Sequence, residues 1–303
     1  MEKQSNVTGN LQGYADQEKR KGGINRTYKS RLFEMIFSSK KELLELYNAV
    51  NETSYENPEE LEVNTLENAI YMSMRNDLSF IIDSRLALYE HQSTYNPNLP
   101  LRFLMYAANL YSNMTKDRNL YGSRPVKLPA PRFVIFYNGL SEQPDRQIIK
   151  LSDVYEVQDK EISLELKAVM LNINRGHNER LMDKCKTLKD YSIYVDKVRE
   201  YTKSMTLEDA VEKAITECIE DDILAEFLRN NRTEAKNVSI FEYNEEKHMR
   251  QVKEEGREEG EAYTLERVNH LIRLLASQNR TEDIVRAASD REWQEKLFKE
   301  FGL

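Results

Sequence analysis

Apolar positions recur at helical spacing from Tyr28 to Val50: Leu32, Phe33, Ile36 and Phe37, then Leu43, Leu44, Leu46, Tyr47 and Val50. Ser38-Ser39 interrupts them, which predicts two helices. NETSYENPEELEVN (51–64) is loop by composition. Three short runs follow: LENAIYMSMR (66–75), LSFIID (78–83) and RLALYEHQ (85–92). The second and third have strand length, and the turn-forming pair Asp83-Ser84 lies between them. Asn98 and Pro100 open an amphipathic helix, LPLRFLMYAANLYSNM, while RFVIFYNG (132–139) and ELKAVMLNIN (165–174) read as buried strands.

After Gly176 the spacing turns helical throughout. His177 is placed to cap or buttress the first of these helices, Thr206 caps another, and 245–303 reads as a charged helical tail. Within that tail EEGREEGEA (254–262) is a solvated, glycine-weakened helix. The outline is an α/β chain in four parts: a mobile lead (1–25), a domain with a mixed sheet flanked by helices (26–175), a helical extension (176–250) and the charged tail (251–303).

Composition narrows the class. In 303 residues the formal charge is −8, and 176–303 carries 22 basic against 29 acidic residues. The acidity is therefore concentrated away from the α/β part. KDRNLYGSRPVKLPAPR (116–132) runs the other way, with five basic residues against one acidic. Polyanion binding is decided by local charge, so that segment keeps nucleic acid in play. Cys185 and Cys218 are too few for a disulfide framework or a thiolate zinc site. No apolar run approaches the ~20 residues of a membrane span, and the first residues lack the apolar stretch of a signal peptide. The expectation is a cytoplasmic protein that does not enter membranes.

The candidate chemistry lies at the end of the third run, where Glu90, His91 and Gln92 follow an apolar strand. If Asp83-Ser84 forms a two-residue hairpin turn, Ile82 pairs with Arg85 and Asp77 falls opposite Glu90. Gln92, two residues on, shares Glu90's face. Both faces of the hairpin are otherwise apolar, so both are covered. Two carboxylates brought together there repel unless one is protonated or a cation sits between them. A divalent metal with hard oxygen ligands satisfies that condition; so does a strand end whose charges simply reach solvent.

Asp77, a strand, a short turn and a second strand ending in Glu90-x-Gln92 resemble the PD-(D/E)XK nuclease pattern. More narrowly, YEHQS followed by NPNLPLRFLMYAANLY is similar to the Rpn family of recombination-promoting nucleases, also described as transposase-like. The likeness extends to LLELYNA (43–49), EVNTLENAIY (62–71), FVIFYNG (133–139) and the helical tail. It implies a PD-(D/E)XK (restriction-endonuclease-like) core and a Mg²⁺-dependent endodeoxyribonuclease, with Mn²⁺ as a substitute. Its work would be recombination, mobile-element movement or defence against foreign DNA. It also implies Asp77 and Glu90 as metal ligands, with His91 contributing its main chain alone.

The parent pattern has lysine where this chain has Gln92, whose neutral amide orients water without supplying charge. A family acid three positions before the phenylalanine matching Phe33 is replaced by Ser30, while Glu34 offers a carboxylate on the same helical face. Arg102 and Tyr106 match a Gln-x-x-x-Tyr pair that braces related sites; Arg102 would meet a phosphate or a catalytic carboxylate. Lys116, Arg118, Arg124, Lys127 and Arg132, with Tyr121 to stack on a base, form a candidate DNA-contacting loop. The resemblance further implies a homodimer joined through the helical C-terminal region. The alternative is a non-catalytic DNA- or partner-binding regulator that keeps the nuclease fold.

Overall fold

The protein is described by a computed structural model covering residues 32–63 and 77–303. The expected mobile lead and the run LENAIYMSMR lie outside these residues. The first compact unit extends to Glu242 and the second is Tyr243–Leu303.

The first unit opens with α1 (Leu32–Ile36) and α2 (Lys40–Asn51), separated at Ser38-Ser39 as the pattern predicts. A short strand β1 (Glu62–Val63) precedes the hairpin β2 (Leu78–Ile82) and β3 (Arg85–Gln92). Then come α3 (Leu99–Thr115), β4 (Ala130–Tyr137), β5 (Arg146–Lys150) and β6 (Lys167–Asn172). The six strands form one sheet in the order β1-β2-β3-β4-β6-β5. Strands β3, β4 and β6 are parallel neighbours, and antiparallel pairs close both sides. The central strands are covered on both faces, which explains why they are almost continuously apolar.

Four helices follow: α4 (Glu179–Lys184), α5 (Lys186–Tyr201), α6 (Leu207–Glu220) and α7 (Ala225–Asn230). The sequence boundary at 175/176 does not separate packed bodies. Leu188, Tyr191, Val198, Val211, Ile215 and Leu228 join the cluster that holds Phe33, Leu46, Phe80, Tyr89 and Phe136. The helices after Gly176 are thus the lid of one sheet face, because an amphipathic helix must bury its stripe and the sheet's own face needs cover. The other face is covered by α3 through Leu99, Phe103, Tyr106 and Leu110.

Two local expectations change. The helix drawn through Cys185 breaks there into α4 and α5, and both cysteines are fully buried. Burial pushes each thiol up to about 12, which disfavours the thiolate. His177 does not cap α4: its Nδ1 lies 2.7 Å from Asp145 Oδ1 in the loop before β5. The Thr206 cap is as expected, its hydroxyl accepting from the Asp209 N–H.

The second unit comprises the C-terminal part of α8 (Arg232–Ser277), α9 (Thr281–Ala287) and α10 (Arg291–Phe301). Its own small core contains Leu271, Leu275, Leu297 and Phe298. No helix among the described residues is long and apolar enough to cross a membrane.

If α6 belongs to the sheet's core, Ile215→Ala should destabilise the sheet as well as the helices. The expected cost is about 2–5 kcal/mol in urea denaturation, with tyrosine fluorescence and far-UV dichroism of the first unit shifting together. A separate early helical transition, leaving the sheet unaffected, would refute the shared core.

Candidate active site

The hairpin forms in the register the turn dictates. Asp83 and Ser84 both have positive φ, 46° and 58°, the backbone of a type I′ turn whose twist suits two paired strands. Neither residue is glycine. Asp83 offsets that strain by accepting from Tyr55 Oη at 3.0 Å and pairing with Arg85 at 2.5 Å. Ile82 lies opposite Arg85 and Leu78 opposite Tyr89. Asp77 is one residue beyond the ladder, where its Oδ2 accepts the His91 backbone N–H at 2.6 Å.

Strand alternation explains that bond. The carbonyl of Gln92 accepts from the Asn138 N–H on the β4 side. In an extended strand the flanking residue's N–H and C=O point the opposite way, so those of His91 face β2 and Asp77. The carboxylate of Asp77 thereby terminates the ladder and stands beside the main chain of His91.

Glu90 and Gln92 share the face covered by α3. Glu90 is fully buried, 0% exposed, a position that a carboxylate tolerates only when compensated. Its Oε2 accepts from Arg102 Nη2 at 3.1 Å and from Gln92 Nε2 at 3.3 Å. Arg102 in turn donates to the Tyr106 hydroxyl from Nη2 at 2.9 Å and from Nε at 3.2 Å. These two residues sit one turn apart on α3, which starts with Pro100 in its first turn just past the end of β3. Of the two partners weighed for Arg102, the carboxylate is the one it meets.

Electrostatics ties Asp77 to the same group. Burial opposes the charge on Arg102, yet Glu90, Tyr106 and Asp77 together hold its pKa above the ordinary value. Burial also pushes Tyr106 up to about 12, reinforced by Glu90 and Asp77 and opposed by Arg102. Asp77, Glu90, Gln92, Arg102 and Tyr106 thus form one coupled cluster at the carboxyl end of a central strand.

His91 points to the opposite face, as strand period requires. Its Nε2 lies 2.9 Å from the Tyr191 hydroxyl, and its ring stacks on Phe33 with centroids 5.0 Å apart. A second brace comes from Arg199, whose Nη2 donates to both the carbonyl and the side-chain oxygen of Asn138. Asn138 in turn holds the Gln92 carbonyl. Gly139 lets these strand ends close up: a Cβ there would run into the Ser93 carbonyl oxygen and the Tyr137 hydroxyl. Tyr191 and Arg199 are participants that motif reading passed over. Their signal was a polar tip on an otherwise apolar helix face.

Glu34 is half-buried on α1 and borders, with Asp77, a cleft of about 950 Å³ that Lys186 and Asp190 also line. Glu90, Gln92 and Arg102 are not among its described lining residues. Glu34 is therefore near Asp77's side of the site and apart from Glu90's. Ser30 lies outside the described residues. The donor chemistry fits a hard divalent cation, since the carboxylates of Asp77 and Glu90 and the carbonyl of His91 are oxygens grouped at one strand end. Among the described residues no set of three or more His, Cys, Asp or Glu is disposed to hold an ion. Main chain and water would have to complete the shell.

The basic loop is elsewhere. Lys116, Arg118, Tyr121, Arg124, Lys127 and Arg132 are all exposed, and Tyr121 is wholly so. The loop enters β4 at Ala130, which lies opposite Arg85. From residue 85 to residue 90 is about 17 Å along β3 at ~3.3 Å per residue. The helix between, α3, has Arg102 as its single charged residue, and its outer positions Leu101 and Met105 are apolar and exposed. Among the described residues no basic track joins the loop to the carboxylates.

The shift on Tyr106 has a definite sign. Its pKa rises from 10.0 to about 12 on folding, so its contribution to stability is complete below pH 10 and is lost as the pH climbs through 12. Tyr106→Phe should lose less stability than the wild type over that interval in urea titrations. Equal losses would mean that Tyr106 ionises alike in both states. Comparison with family models, with curated proteins and with solved structures finds no match to this chain.

Proposed function

We propose that the protein is a metal-dependent nuclease of the PD-(D/E)XK type, cleaving phosphodiester bonds in DNA at the Asp77–Glu90–Gln92 cluster. The observation that carries this reading is that Asp77, held by the His91 N–H, and Glu90, paired with Arg102, both act on one guanidinium at one strand end, which is braced from the opposite face by Tyr191. Structure without chemistry would not need a fully buried glutamate there, since an apolar residue of similar size avoids the desolvation cost.

In this reading Asp77, Glu90 and the His91 carbonyl hold Mg²⁺ or Mn²⁺. Such an ion, when bound, lowers the pKa of water and polarises a phosphoryl oxygen. The chain's own residues set the geometry. Gln92 both donates and accepts, so its amide can orient water beside Glu90 without adding charge. Arg102 supplies a planar guanidinium suited to a phosphate's oxygens. Asp77 keeps the end of β3 in place through the His91 N–H. Lys116, Arg118, Arg124, Lys127 and Arg132 give a separate phosphate contact, with Tyr121 available for stacking. In a dimer the second unit would meet the partner, because the helices of 176–242 are spent on the sheet.

One observation favours the non-catalytic alternative. The Arg102–Glu90 pair already balances the buried carboxylate, so a fold retained for binding alone would also be stable.

Supercoiled plasmid incubated with Mg²⁺, Mn²⁺ or EDTA separates the two. Nicking should require metal and fall about a hundredfold or more in Asp77→Ala and Glu90→Ala. DNA binding indifferent to metal, with no cleavage under any condition, would support the binding protein.

A further inference from the structure

The guanidinium of Arg102 occupies the surroundings in which the nuclease reading requires a metal ion. Its Nη2 is 3.1 Å from Glu90 Oε2, with side-chain exposures of 26% and 0%. Tyr106 holds the same nitrogen at 2.9 Å, and the charge of Asp77 also acts on it. A charged carboxylate buried there is stabilised by a counter-charge, and Arg102 supplies one when no ion is bound. A divalent cation beside Glu90 then meets a cation already in place.

We infer that Arg102 is an internal counter-ion that competes with the divalent metal for Glu90 and is released to the phosphate of the substrate when the metal binds. The inference rests on the metal-dependent reading of this site. It adds a consequence that reading does not contain: metal and nucleic acid bind cooperatively through one side chain. Without DNA, the displaced guanidinium has lost its carboxylate and remains close to a divalent charge, which weakens the metal. With DNA, a phosphate takes the carboxylate's place as its partner, and the repulsion is offset. By linkage, the metal then strengthens DNA binding by the same factor.

The geometry allows the exchange. Arg102 is in the first turns of α3, at the margin of the buried cluster, and a quarter of its side chain already reaches solvent. Its tether to Tyr106 lies on its own helix one turn away, so the guanidinium can leave Glu90 without α3 moving. Glu90 keeps Gln92 as a donor throughout.

The test is calorimetric titration of Mg²⁺ and Mn²⁺ into wild type, Arg102→Gln and Arg102→Lys, each with and without a phosphorothioate duplex that resists cleavage. Arg102→Gln keeps a hydrogen-bond donor and removes the charge, so it should bind metal alone about tenfold tighter or more. Arg102→Lys keeps the charge and should stay within about threefold of wild type. Saturating duplex should tighten metal binding more in wild type than in Arg102→Gln, where only the ion's own interaction with the phosphate couples the two ligands. Where Arg102→Gln is unstable in EDTA, the metal-induced rise in melting temperature reads the same coupling, and it should exceed that of wild type by about 3–5 °C. Equal or weaker metal affinity in Arg102→Gln, or the same affinity in the Gln and Lys variants, overturns the competition even if wild type cleaves DNA. Failure of every form to bind metal, with no cleavage, overturns this inference together with the nuclease reading.

Discussion

A carboxylate with no solvent exposure, at the end of a strand inside a three-layer fold, constrains everything around it. Glu90 cannot be charged there without a partner, and removing one member of such a pair typically costs about 3–5 kcal/mol. Among the described residues its cation is Arg102, and the position of Arg102 follows from the way α3 begins. The chain leaves β3 at Gln92, turns through Asn96–Asn98, and starts a helix whose first turn carries Pro100 and then Arg102. Phe103, Tyr106 and Leu110 pin that helix to the same sheet face. Helix placement and charge compensation are therefore one requirement: if α3 shifted by a turn, Glu90 would lose its cation.

The opposite face is held by residues far apart in the chain. Phe33 stacks on His91, Tyr191 meets its Nε2, and Arg199 grips Asn138 beside Gln92. These contacts join α1 and α5 to the last residues of β3 and the exit of β4. On the β4 side the strand end stays paired as far as Gln92–Tyr137, but on the β2 side the last described pair is Leu78–Tyr89. Asp77 closes that gap from the sheet side through the His91 N–H. The helices after Gly176 thus act on the same few backbone groups as the acidic cluster. Among them it is α5 that makes these contacts, through Tyr191 and Arg199.

Much of this was legible in the residues. The boundaries of β3 coincide with RLALYEHQ, the hairpin register follows from two turn residues, and Asp77 lands one residue past the ladder beside the His91 N–H. These are local rules with a period of two, and one register fixes every neighbour. What escaped was non-local. Strand β5 was missed because RQIIK is short and half polar, as suits an edge strand. The packing of α5 and α6 on the sheet was invisible because helical spacing shows that a face is buried but not against what. Helix Lys186–Tyr201 has the same pattern whether its stripe meets a sheet or a second copy. The basic loop was placed by charge alone, and charge carries no address in three dimensions.

The distance between loop and acids decides how any polyanion could approach. About 17 Å of strand separates the loop's entry at Ala130 from Glu90, counting ~3.3 Å per residue. At physiological salt the Debye length is ~8 Å, so exposed cations at that range barely alter the potential at the carboxylates; Arg132, opposite Ala87, is nearer, at about 10 Å along the strand. The outer face of α3, with Leu101 and Met105, supplies no charge between them. A chain of net charge −8 gives no general attraction either. Neutralising Asp77 and Glu90 for a phosphate, as the proposed function requires, would thus be a local task. Arg102 is the one charged residue of the covering helix placed to perform it, and a bound cation would have to share that task with it. The phosphodiester chemistry proposed for the cluster would rest on charges held within one helical turn and one strand end.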